Sequence, residues 1–256
     1  MNRKPVDLQA YELYLQGAHI YSHETSERLE ASRRKFEEAI ERDPKFARAW
    51  GYLAYTTMRS VMLGWRSKDD ASKAEEYAKK AVELDPDDYA NYWDLAFIYQ
   101  GTRRFDLAQE LFDKAIRLDG NDADLLAEVA DMHTYVGEPE RSIAELHRAM
   151  RLNPIVPDWY RWNLGWAYFN ARQYEAAIQE LDKMSEPTGH AVLIKAASYE
   201  MLQRHPEAEG QIRRYLETNT GYSLKVLKQR MAFKKPEFEQ HWLSAVRAAG
   251  LPEAYD

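Results

Sequence analysis

The sequence predicts an all-α fold, a solenoid of about five to six helix pairs closed by capping helices towards its C-terminal end. Three observations carry this. The segments Phe36–Pro44, Tyr77–Pro86, Phe112–Gly120 and Leu146–Pro154 match one another, and their central Ala81, Ala115 and Ala149 recur at intervals of 34 residues. A fixed period of that size marks stacked supersecondary units. Within each unit apolar residues recur at i, i+3, i+4 and i+7, the spacing of an amphipathic helix. Finally, 256 residues contain only 11 Gly and 10 Pro, too few for a turn-rich all-β chain.

Taken in order, helix pairs are expected near residues 6–42, 45–85, 87–119, 121–153, 155–184 and 189–218, with cap helices near 222–231 and 236–249. They form one solenoid over residues 1–256, because each repeat contacts mainly its neighbours. The first helix of each pair carries a small residue at its middle: Gly17, Ala54, Ala96, Ala130, Gly165 and Ala196. Small residues let two backbones approach, and large ones such as Tyr92, Leu95 and Phe112 fill the space beside them. Asp43-Pro44, Asp85-Pro86 and Asn153-Pro154 end second helices, since the residue before proline disfavours α geometry. The step from Ala39 to Ala81 is 42 residues, so eight are inserted, around Ser60–Asp70. Val61, Met62, Leu63 and Trp65 are too apolar for a plain loop. They fit either a first helix lengthened by two turns or a protruding contact patch. Tyr168, Ala177 and Leu181, then Tyr199, Ala208 and Ile212, continue the pattern, with the fifth pair about three residues short around Ser185–Pro187. In the last helix Phe238, Trp242, Leu243 and Val246 form an apolar stripe, expected to cover Ile212 and Leu216, with Gly250 as its C-cap.

These recurring positions resemble the tetratricopeptide repeat (TPR). The resemblance implies a right-handed superhelix that presents an inner groove to a protein or peptide. A narrower resemblance covers nearly the whole chain. Ala10–Gly17, the long early repeat and the tail Val246-Arg-Ala-Ala-Gly-Leu-Pro-Glu253 are similar to the C-terminal TPR segment of bacterial class III adenylate/guanylate cyclases and related multidomain regulators. No cyclase or DNA-binding domain is present, so cyclase activity does not carry over.

Composition excludes several chemistries. There is no cysteine, hence no disulfide, thiolate site or cysteine nucleophile. The net charge of −7 argues against non-specific nucleic-acid binding. No signal peptide or apolar run long enough for a membrane helix is visible, so membrane insertion is not expected and a cytoplasmic protein is. His19, His23 and Glu27 have the spacing of one helical face, but a turn is expected between residues 22 and 26, so they are read as surface residues and no metal site is expected. Phosphate-binding glycine loops and nucleophile elbows are absent. Neither a cofactor nor a catalytic residue is expected, and the chain reads as a non-enzyme.

Two charge asymmetries remain. Residues 121–140 hold six acids and no Lys or Arg, while residues 204–247 hold nine bases against five acids. Both are read as solvated surfaces or as the ends of a partner groove. The Lys/Asn/Arg clamp by which some TPR proteins grip a peptide carboxylate does not appear at the inner positions, Arg48, Gly51, Tyr55, Met58, Ala90, Trp93, Phe97 and Gln100 among them. Trp159, Trp162, Trp166 and Phe169, spaced 3, 4 and 3, fall on one helical stripe opposite the core-type residues Tyr160, Leu164 and Tyr168. Either this helix is buried all round, or the stripe lines the groove with Tyr55, Trp93 and Phe97, flanked by acidic Asp124, Glu128 and Asp131. The second reading predicts an apolar and basic protein or peptide partner on a scaffold module. Two alternatives stand beside it. One is a ligand-sensing segment of a nucleotide-cyclase-type signalling system. The other is a self-assembling scaffold whose groove or terminal helices make a homo-oligomer.

Overall fold

In a computed structural model, residues 6–21, 25–185, 189–230 and 233–254 are described, and among them every regular element is a helix. The helices divide into two compact units, Met1–Gly120 and Asn121–Asp256.

The first unit contains α1 (Leu8–Tyr21), α2 (Ser26–Arg42), α3 (Ala47–Met62), α4 (Asp70–Leu84), α5 (Tyr89–Gly101) and α6 (Phe105–Leu118). Successive helices pair, and the first helices α3 and α5 also pack on each other. The small residues do what their size dictates. A Cβ on Gly17 would lie 2.7 Å from Phe36 Cε1, so α1 and α2 meet only because no side chain intervenes. Ser32 Oγ then donates to the Gly17 carbonyl at 2.8 Å. Asp43 and Asp85 leave the helix in extended geometry ahead of Pro44 and Pro86, as the proline rule requires. Asp119 does the same ahead of Gly120, without a proline. The inserted residues divide between two fates. Helix α3 is 16 residues long against 13 for α5, less than one extra turn, and a looped turn follows rather than a second one. Val61 and Met62 pack into the core beside Leu95 and Ile98, whereas Trp65 is exposed.

The second unit contains α7 (Ala123–Val136), α8 (Pro139–Leu152), α9 (Asp158–Asn170), α10 (Tyr174–Leu181), α11 (His190–Met201), α12 (His205–Thr218), α13 (Leu224–Arg230) and α14 (Pro236–Ala248). The first helices α7, α9 and α11 form a row, each packed on the next. Helix α10 is 8 residues long; of the shortening expected around Ser185–Pro187, Glu186 and Pro187 lie outside the described residues. Leu181 of that helix reaches Gly165 so closely that a Cβ there would meet its Cγ at 2.6 Å.

The end of the unit is built differently from the expectation. Helix α14 packs mainly on α11, in the first-helix row, and Tyr222 is the residue that meets Tyr215 of α12, with ring centroids 5.1 Å apart. Gly250, at φ +104°, turns the chain out of α14, and Leu251 N–H donates to the Val246 carbonyl at 3.0 Å. That six-to-one bond belongs to a Schellman C-cap. The following residues then hold α13: Leu224 N–H donates to the Pro252 carbonyl and Lys225 N–H to that of Glu253. The Gly250–Glu253 tail therefore has a structural task.

Candidate protein-binding surface

The first-helix row of the first unit is tied up by its own groups. Arg48 on α3 donates from Nη1 to Asp94 Oδ2 on α5 at 2.9 Å, and the same nitrogen lies 3.4 Å from Asn91 Oδ1. Asp88 stands 3.9 Å from the guanidinium, which also covers the Tyr52 ring at 5.0 Å. Burial pushes the Asp94 carboxyl above the usual carboxylate range, against the pull of Arg48. Gly51 is what allows this pair, since a Cβ there would fall 2.2 Å from Asp94 Oδ2. One turn on, the Tyr55 ring stacks on Phe97 at 4.4 Å and meets Tyr21 edge-on at 5.6 Å. Phe97 is buried, whereas Tyr55 and Trp93 are half-buried.

In the second unit the aromatic stripe of α9 splits in two. Its C-terminal half is covered. Trp166 is 2% exposed and Phe169 0%. Their rings stack in parallel at 5.8 Å, and Trp242 of α14 meets both edge-on at 4.9 and 5.2 Å. Phe233, in the stretch between α13 and α14, completes the cover at 5.6 Å from Trp166. Its N-terminal half is open. Trp159 is 37% exposed, Ile155 just before α9 is 87% exposed, and Trp162 is half-buried. Tyr160 anchors this end. Its hydroxyl donates to Asp124 Oδ1 on α7 at 2.6 Å, and its ring meets Trp159 edge-on at 4.4 Å. Burial and the neighbouring carboxylate both raise the Tyr160 pKa, so the hydroxyl stays a donor. Asp124 is exposed and Asp131 half-buried, while Glu128 is buried. The open end thus joins apolar rings to an accessible carboxylate.

Profiles of the tetratricopeptide repeat match residues 18–61, 66–130 and 130–187. The chain is a tetratricopeptide repeat protein. Solved structures agree on the fold. A thermophilic TPR protein of Thermus thermophilus superposes with a TM-score of 0.58 at 19% identity, over 82% of this chain and 98% of that one. The structure titled for functional characterisation of Pseudomonas aeruginosa pilF gives 0.57 at 16% identity, over 87% and 97%. The human IFIT1 dimer with m7Gppp-AAAA gives 0.72 at 15% identity, over 95% of this chain and 60% of that chain. At such identities the likeness carries the fold alone. No curated protein matches the chain in sequence.

Within this TPR protein the expected site residues separate by unit and by burial. Tyr55, Trp93 and Phe97 lie in the first unit; Asp124, Glu128, Asp131, Trp159, Trp162, Trp166 and Phe169 lie in the second. Of the stripe, Trp166 and Phe169 are buried and Trp159 is exposed; Phe97 and Glu128 are buried too. The inner arginine Arg48 is held by Asp94. Sequence reasoning missed Phe233 and Ile155. Neither lies in a repeat helix, so helical periodicity gave no signal for them. Of the histidine face, His23 lies outside the described residues. No described helix is long and apolar enough to cross a membrane.

Proposed function

We propose that this TPR protein is a non-catalytic scaffold, and that the open end of the α7–α9 face holds a protein or peptide partner with apolar and basic residues. The exposed Trp159 and Ile155, with Asp124 held by the neighbouring Tyr160, carry the reading. Tryptophan offers a large contact area at low entropic cost, and a neighbouring carboxylate favours Lys or Arg in the partner. The likeness of the Val246–Glu253 tail to cyclase-linked regulators supports a signalling setting. An array of 15-residue peptides graded in apolar and basic content tests the site. The wild type retains the members that are both apolar and basic, and Trp159→Ala with Trp162→Ala weakens them at least tenfold, about 1.4 kcal/mol, without unfolding the protein. An array pattern unchanged by the double substitution sinks the assignment.

A further inference from the structure

We infer that Phe233–Lys235 is a resident ligand of the first-helix row, and that partner segments carrying an aromatic residue with a lysine two positions further on compete for its seat. The inference rests on the scaffold reading and adds the partner's sequence chemistry.

Four observations carry it. The Phe233 ring occupies a slot between Tyr135 of α7, at 5.5 Å, and Trp166 of α9, at 5.6 Å. The backbone at Lys235 is extended, not helical, with φ −102° and ψ 120°. It is held by main-chain acceptors at the C-terminal end of α7: Lys234 N–H donates to the Tyr135 carbonyl at 2.9 Å and Lys235 Nζ to that of Gly137 at 3.1 Å. A helix C-terminus leaves carbonyls unpaired and favours cations, so this seat takes an aromatic ring, a main-chain N–H and then a lysine ammonium. Charge agrees, since residues 121–140 contain six acids and no Lys or Arg.

The seat is also separable from its anchor. Trp242, Ala245 and Val246 of α14 are buried in the core, whereas Lys234 and Lys235 are exposed. A competitor then takes the Tyr135–Trp166 slot while α14 stays in place.

The probe is a fluorescein-labelled peptide with the sequence of residues 229–240, titrated into the full chain and into its Phe233→Ser variant. The variant is expected to bind the probe at least tenfold more tightly than the wild type, and a probe carrying Ser in place of its Phe233 is expected to bind neither. Equal affinity of the two proteins for the probe overturns the inference. Hydrogen exchange of the wild type guards against a misfolded variant. The Lys234 amide is expected to exchange at least a hundredfold faster than the Leu251 amide, through local opening. Equal rates overturn the inference too. If the peptide array responds to Trp159→Ala with Trp162→Ala while this pair of measurements fails, the scaffold reading stands and the resident ligand does not.

Discussion

The two units solve one problem in opposite ways. Each lays first helices side by side, and each must deal with aromatic and polar groups on the row. In the first unit the row satisfies itself: Arg48 is neutralised by Asp94, and Tyr55 lies flat on Phe97. In the second, Trp166 and Phe169 are too apolar to be left open, and a later part of the chain covers them with Phe233 and Trp242. The first row ties its arginine and a tyrosine internally, although Trp93 Nε1 on α5 is buried without a hydrogen-bond partner. The second row is covered by a later segment of the chain.

The contrast predicts unequal costs of truncation. Trp166→Ala should remove about 3–5 kcal/mol, as expected for a fully buried Trp, and Tyr55→Ala less, because that side chain is only partly buried. Chemical denaturation of both variants decides it. Equal losses break the contrast. Next in size is Arg48→Ala. It leaves Asp94 buried and unpaired, at a cost of about 2 kcal/mol. The double variant Arg48→Ala with Asp94→Leu should recover much of that loss. If it does not, packing of the Arg48 stem over Tyr52 is the larger contribution.

Much of this arrangement was legible in the sequence, and the limit has a physical cause. All twelve repeat helices follow from periodicity and from the Asp-Pro and Asn-Pro ends, because those are local signals. The stripe on α9 was legible as two faces on one helix, but its state was not. Whether Trp166 is open or covered depends on Phe233, 67 positions further on and outside any helical pattern. A helical wheel holds no information about a segment that folds back over it. The tail shows the converse. Gly250-Leu-Pro-Glu253 was legible as a motif, and only the bonds to Leu224 and Lys225 show what it holds.

Glycines give a finer comparison. Gly165 touches Leu181, so Gly165→Ala should overpack and cost about 1–3 kcal/mol. Gly210, inside α12, has open space where a Cβ would stand, with nothing within 4 Å. Gly210→Ala should therefore stabilise by about 0.5–1 kcal/mol, through helix propensity alone. Thermal melts should move in opposite directions for the two. Movement in the same direction would mean that the α9–α10 contact is looser than the geometry shows.

The smallest effect expected is a dependence on pH in the covered row. His241 of α14 stacks on Phe169 at 5.1 Å. Its Nδ1 lies 3.4 Å from Arg172 Nη1 and its Nε2 lies 3.2 Å from the Tyr174 hydroxyl. One neutral tautomer fits both neighbours: Nδ1 accepts from the guanidinium and Nε2–H faces the hydroxyl oxygen. Burial, and then the Arg172 charge, hold the His241 pKa below its ordinary 6.5. The unfolded chain therefore binds this proton more readily than the folded one, and stability contributed by the neutral ring is lost as pH falls below about 6.5. His241→Gln keeps an acceptor for Arg172 and a donor for Tyr174 without the titration. Between pH 7.5 and 5.5 the variant should lose less melting temperature than the wild type. Parallel losses would show that the cover over Phe169 does not depend on the charge of His241.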